Sequence, residues 1–169
     1  FADNMGKRFV TEKFRAIVNP FGVMYNPASV LHTVQQLADT DQLPFAPDEP
    51  GTAVFTLGTN HVYILNETGE IVDNCQKRPQ RLFTEQELTI EECTDYLSQT
   101  IQIIRSRFPK VRIILTVSPI RYRKYGFHGS RLSKAVLLLA IDRLLHPKDS
   151  IHSSNDFENT TVYFPSYEI

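Results

Sequence analysis

The sequence predicts an α/β domain, a mostly parallel sheet with helices on both faces, and three observations lead there. Short β-rich runs, Ala53–Leu57 and Val111–Val117, alternate with segments whose apolar residues recur every three or four positions. The connections between them are long enough for helical crossovers, which parallel strands require. Ile113, Ile114 and Leu115 stand consecutively, as in a strand covered on both sides of the sheet. With 169 residues and 41% hydrophobic content there is room for one core, so residues 1–169 read as a single domain.

Taken in order, residues 2–13 carry Ala2, Met5, Phe9 and Val10 at helical spacing and predict a first helix. Phe14 to Val18 predicts a short strand, and Asn19-Pro20-Phe21-Gly22 a turn. Asn26-Pro27 is a helix start, because proline loses nothing at the first helical position, and Val30, Leu31, Val34 and Leu37 fill one face. Asp39 to Gly51, with its prolines and acids, is a surface connection. After the strand at Ala53–Leu57, Val62–Leu65 and Glu70–Val72 flank Asn66-Glu67-Thr68-Gly69 as a hairpin would. A polar return over residues 74–79 leads to Thr89 and Glu92, a capping box for a helix that buries Cys93, Leu97, Ile101, Ile104 and Phe108 and stops at Pro109. Val111–Val117 is the clearest strand, Ser130 to Leu145 a helix with Leu132, Val136, Leu139, Ala140 and Leu144 inward, and Thr161–Phe164 a last strand.

Composition narrows the function. A net charge of -1 with no long basic block argues against a nucleic-acid surface. Cys75 and Cys93 are too few and too far apart for a disulfide framework or a zinc site, which points to a reducing, cytoplasmic setting without metal or other cofactor. No apolar stretch approaches a bilayer span, so no membrane partner is expected.

The chemistry centres on Gly58-Thr59-Asn60, directly after a strand. In open α/β sheets ligands bind beyond the carboxyl ends of strands, where an Asn amide can donate hydrogen bonds to developing negative charge. The alternative is a simple turn, since Asn and Gly favour turns in any protein. His61 lines the same place or packs on the hairpin. His128 lies on a loop near Ser118 and Ser130. Arg121 and Lys134 are candidates for an anionic substrate group, with solvation at a strand end and a helix start as the alternative. Asn74, with Asn60, Arg121 and His128, would complete a polar crevice. Cys75 near Lys77 and Arg78 is either an activated thiolate or an inert thiol.

Seven blocks then occur in a telling order: Phe-Ala-Asp-Asn-Met-Gly at the start, Asn-Pro-Phe-Gly-Val-Met-Tyr-Asn-Pro at 19–27, Leu-Gly-Thr-Asn at 57–60, Val-Asp-Asn-Cys-Gln-Lys at 72–77, Thr-Val-Ser-Pro-Ile-Arg at 116–121, Ser-Lys-Ala at 133–135 and Tyr-Phe-Pro-Ser-Tyr-Glu-Ile at the end. Together they resemble the GSCFA family, which is similar to SGNH (GDSL-like) hydrolases. The resemblance implies a flavodoxin-like three-layer sandwich that hydrolyses an ester or acetyl group on a small molecule or carbohydrate. It also implies that the Gly22 backbone N–H and the Asn60 side chain form the oxyanion hole. The Gly-Ser-Cys expected before Phe1 and the Asp-x-x-His-like segment expected after Ile169 are not in the sequence. The chain therefore reads as an incomplete fragment lacking nucleophile and base. A non-catalytic α/β module binding a carbohydrate or other polar ligand is the competing reading.

Overall fold

A computed structural model describes residues 24–41, 43, 45–73, 75, 78–146 and 161–168. The helix expected over 2–13, the strand expected over 14–18, and the candidates Gly22 and Asn74 lie outside the described residues.

The first described element is helix α1, Pro27–Asp39. Its start follows the sequence prediction: Asn26 Oδ1 accepts from the Ser29 N–H at 2.9 Å, and Pro27 occupies the first turn. Strand β1, Gly51–Leu57, follows, then β2, His61–Leu65, and β3, Ile71–Val72. β2 and β3 form the expected antiparallel hairpin, and Gly69 adopts φ +73° where a left-handed residue is needed.

Strand β4, Phe83–Glu87, pairs antiparallel with the other edge of β2 and had no counterpart in the sequence reading. Its sequence, Phe-Thr-Glu-Gln-Glu, has one buried apolar residue, Phe83. Backbone pairing with β2, rather than any apolar period, makes it a strand.

Helix α2, Ile90–Arg107, begins at the predicted capping box: the Glu92 N–H donates to Thr89 Oγ1 at 3.1 Å and the Thr89 N–H to Glu92 Oε2 at 2.7 Å. Cys93, Leu97, Ile101, Ile104 and Phe108 are all buried, as their spacing requires. Strand β5, Val111–Val117, then runs parallel to β1 over its whole length, from Gly51 opposite Val111 to Leu57 opposite Val117. Helix α3, Gly126–Leu145, and strand β6, Thr161–Phe164, complete the described chain, with β6 parallel to the far edge of β5. Among the described residues the architecture is thus a three-strand parallel sheet in the order β1-β5-β6, a small antiparallel sheet in the order β3-β2-β4, and three helices.

Among the described strands β5 lies between β1 and β6, and β1 carries the exposed Val54. In β5, Val111, Ile113, Leu115, Thr116 and Val117 are buried, Ile114 is half-buried and Arg112 is exposed. The described helices pack side by side, α1 on α2 and α2 on α3, over the sealed side. A second helical layer is not among the described residues.

One expectation is corrected in α3. The helix starts at Gly126 rather than Ser130, so His128 sits in its first turn and not on a loop. Its buried residues are Ser130, Ser133, Lys134, Leu137, Ala140 and Ile141, while Leu132 and Leu139 are more than half exposed. The apolar residues surround this helix almost completely, so their spacing does not choose a face. The polar stripe turns inward because the loop after β1 needs its donors and acceptors.

Candidate functional site

At the carboxyl end of β1 the chain makes a loop, Gly58-Thr59-Asn60, that is buried throughout. Loops normally run over the surface because a buried one must find a partner for each backbone polar group. Five of the six such groups in this loop have a partner among the described residues. The carbonyl of Tyr25 accepts from the Gly58 N–H at 2.7 Å and the Thr59 N–H at 3.0 Å. Lys134 Nζ donates to the Gly58 carbonyl at 2.5 Å. The Asn60 N–H donates to Ser133 Oγ at 3.0 Å, and that hydroxyl lies 3.0 Å from Thr59 Oγ1, which in turn accepts from the His61 N–H. Asn26, besides capping α1, donates from Nδ2 to the His61 carbonyl at 3.1 Å. Space at Gly58 is tight as well: a Cβ there would stand 2.4 Å from the Tyr122 hydroxyl, so the Tyr122 side chain would have to shift.

Asn60 ties the loop to the start of α2. Its carbonyl accepts from the Leu88 N–H at 2.9 Å, and its Nδ2 donates to the Leu88 carbonyl at 2.8 Å. This pairing orients the amide, since only the nitrogen can donate to a carbonyl. Asn60 Oδ1 is buried and makes no hydrogen bond among the described residues. A fully buried amide oxygen without a partner is uncommon and costs about 1–3 kcal/mol.

Lys134 is the largest fully buried side chain, at 1% exposure. Burial of its ammonium pulls its pKa from 10.5 down to about 8, and no carboxylate pairs with it among the described residues. The Tyr122 ring lies 5.6 Å from Nζ and supplies some compensation through its π face. Tyr122 itself is pushed up to about 12, chiefly by burial and then by Tyr25. The candidate anion ligand of the sequence reading is therefore placed on a main-chain carbonyl of the loop.

Beside the loop, His61 is buried and stacks on Tyr125, with ring centroids 3.7 Å apart and planes 8° from parallel. Its Nδ1 lies 3.3 Å from Glu85 Oε1, without hydrogen-bonding geometry, and its Nε2 3.9 Å from Glu87 Oε1. Burial lowers the His61 pKa below 6.5 against the opposing pull of Glu87 and Glu85, so the ring is neutral at pH 7. Among the described residues no hydroxyl or thiol hydrogen-bonds that ring. Glu85 also receives Lys124 Nζ at 2.6 Å and the Tyr63 hydroxyl at 3.2 Å, which joins the Arg123–Tyr125 turn to the antiparallel sheet.

The remaining candidates spread outward. Arg121 and His128 are exposed, Arg121 with its guanidinium 4.3 Å from the centre of the Phe127 ring. Cys75 is half-buried, and burial raises its pKa against the pull of Arg78 and Lys124, so it is a thiol and not a thiolate at neutral pH. No group of three or more metal-ligating side chains occurs among the described residues, and no described helix is long and apolar enough to cross a membrane. Ser133, Tyr122 and Tyr25 did not emerge from the sequence as site residues. The available signal was Ser130, Ser133 and Lys134 at helical spacing inside a leucine-rich helix.

Fold and site define an α/β protein whose buried polar loop, at the carboxyl end of a parallel strand, is locked by a serine and a lysine from the last described helix. The chain matches the GSCFA family model over residues 1–49 and 47–169, and so belongs to the GSCFA family. No curated protein and no solved structure matches it.

Proposed function

We propose that this chain is the scaffold of an SGNH-type hydrolase acting on ester or acetyl groups, with the Asn60 loop as part of its oxyanion site. The observation that carries the reading is that five of the six backbone polar groups of the buried Gly58–Asn60 loop are paired while the Asn60 side-chain nitrogen, which donates to the Leu88 carbonyl, keeps a second N–H. Stabilising a tetrahedral oxyanion depends on donors that are already fixed before charge develops, and a loop held on both sides of Asn60 meets that condition. Gly22 is the second donor in this reading, and the three-layer SGNH arrangement its setting. No residue of the chain is assigned as nucleophile or base, so the proposal concerns the scaffold and its oxyanion site.

A specific observation favours the second reading, a non-catalytic module for a carbohydrate or other polar ligand. Asn60 is 1% exposed and its amide already serves the Leu88 carbonyl, as in a purely structural loop. The two readings separate when the complete gene product is given p-nitrophenyl acetate and, in parallel, a panel of neutral and charged oligosaccharides in a thermal-shift assay. Turnover above the protein-free rate supports the hydrolase. Stabilisation by a saccharide with no turnover supports the binding module.

A further inference from the structure

Charge is distributed very unevenly along this chain. Residues 96 to 141 contain no Asp or Glu, yet hold nine of the 18 Lys and Arg, so all 19 acids lie elsewhere. Several of those nine cations are engaged inside the fold. Lys134 serves Gly58, Lys110 the Asp48 carbonyl, Lys124 Glu85, and Arg107 the Ala38 carbonyl.

Arg121, Arg123 and Arg131 are different: all three are exposed, and none pairs with a carboxylate among the described residues. Arg121 and Arg131 come together around one exposed ring. Phe127, in the first turn of α3, is 56% exposed, with the Arg121 guanidinium 4.3 Å and the Arg131 guanidinium 4.6 Å from its centre. Two long cationic side chains are thereby held in place on one aromatic anchor, which lowers the entropy lost when they grip a ligand. An unneutralised guanidinium presents a planar fork of donors that fits a carboxylate or phosphate.

The position of this cluster gives it a purpose. The intervening residues belong to the candidate site: Tyr122 closes over Gly58, and Tyr125 stacks on His61. The Ser118 N–H donates to the Leu57 carbonyl, so the segment that carries the cluster leaves β5 beside the Asn60 loop and contacts it through the two tyrosines. We propose that Arg121 and Arg131, anchored on Phe127, form a subsite for an anionic group, carboxylate or phosphate, carried by the substrate itself. This deepens the hydrolase reading, on which the word substrate rests, and names the substrate class as an acidic saccharide or sugar-phosphate ester.

The test is calorimetric and needs no turnover. The complete gene product and its Arg121→Gln/Arg131→Gln double variant are titrated with an oligogalacturonate, a neutral galactan oligomer of equal length, and inorganic phosphate. The wild-type protein binds the uronate or phosphate and not the galactan, and the affinity drops as salt is raised. The double variant binds about tenfold or more weakly, because each lost charge-assisted contact is worth roughly that factor. Arg121→Lys/Arg131→Lys restores part of the loss. Uronate without phosphate identifies the carboxylate as the recognised group, and phosphate without uronate the reverse. Equal binding of neutral and charged oligomers, or unchanged binding by the double variant, overturns the proposal. So does arginine-dependent binding to vesicles containing phosphatidylglycerol with no uronate or phosphate binding, which would make the patch a membrane surface. Anion binding with no ester turnover upholds the subsite while removing the hydrolase.

Discussion

Replacing Lys134 by Met removes the charge and the donor while keeping an unbranched side chain of similar length. Two effects then oppose each other. The Gly58 carbonyl loses its only described partner, a loss of about 1–3 kcal/mol for a buried acceptor. Against this, the buried ammonium disappears: its pKa of about 8 lies roughly 2.5 pH units below the ordinary 10.5, equivalent to about 3 kcal/mol of unfavourable burial. At pH 7 the two nearly cancel, so Lys134→Met unfolds within about 2 kcal/mol of the wild type.

The pH dependence then separates them. Between about 8 and 10.5 the unfolded lysine holds a proton that the folded one has released, so wild-type stability rises with pH across that window. The variant lacks this contribution. Urea unfolding at pH 7, 8, 9 and 10 should show the wild type gaining up to about 3 kcal/mol relative to Lys134→Met, with tyrosines and other lysines cancelling in the difference. A difference that stays flat from pH 7 to 10 refutes the account of Lys134 as a buried cation on the loop.

Further predictions address single contacts. Thr89→Ala removes the capping box of α2 and should lower stability by about 1 kcal/mol in urea unfolding, with no change above noise if the cap is dispensable. Gly58→Ala drives a methyl group into the Tyr122 hydroxyl, so it should lower the melting temperature and alter Tyr122 fluorescence, whereas an open loop would accept it silently. By NMR the His61 imidazole should titrate below 6.5, because the folded protein disfavours its protonated form. Stability contributed by that burial is present above 6.5 and lost as pH falls toward the folded value. A midpoint at or above 6.5 contradicts the burial of this ring in the folded protein.

Some of this was legible in the sequence and some was not, for physical reasons. α1, the β2–β3 hairpin, α2 and β5 were legible because local chemistry and apolar period agree there: Asn26-Pro27, Gly69, Thr89 with Glu92, and the consecutive apolar Ile113, Ile114 and Leu115. β4 escaped because Thr84, Glu85, Gln86 and Glu87 carry no apolar alternation, and only the neighbouring strand decides their conformation. The buried face of α3 was misread for the opposite reason. Leu132 and Leu139 fit an apolar stripe as well as Leu137 and Ile141 do, and the choice was made by a loop more than seventy residues earlier that needed Ser133 and Lys134. Asn60 was visible as a polar residue after a strand, but its lock on Leu88 is a contact between distant segments.

The central claim is that the Asn60 side chain stabilises negative charge in a transition state. Its most direct test is steady-state hydrolysis of p-nitrophenyl acetate by the complete gene product, its Asn60→Ala variant and the isosteric Asn60→Asp, each shown to be folded by a cooperative thermal melt. The account predicts a fall in kcat of about 10²–10³-fold in both variants with KM little changed, as when one oxyanion donor is removed. A folded Asn60→Ala protein that turns over ester at the wild-type kcat would contradict it.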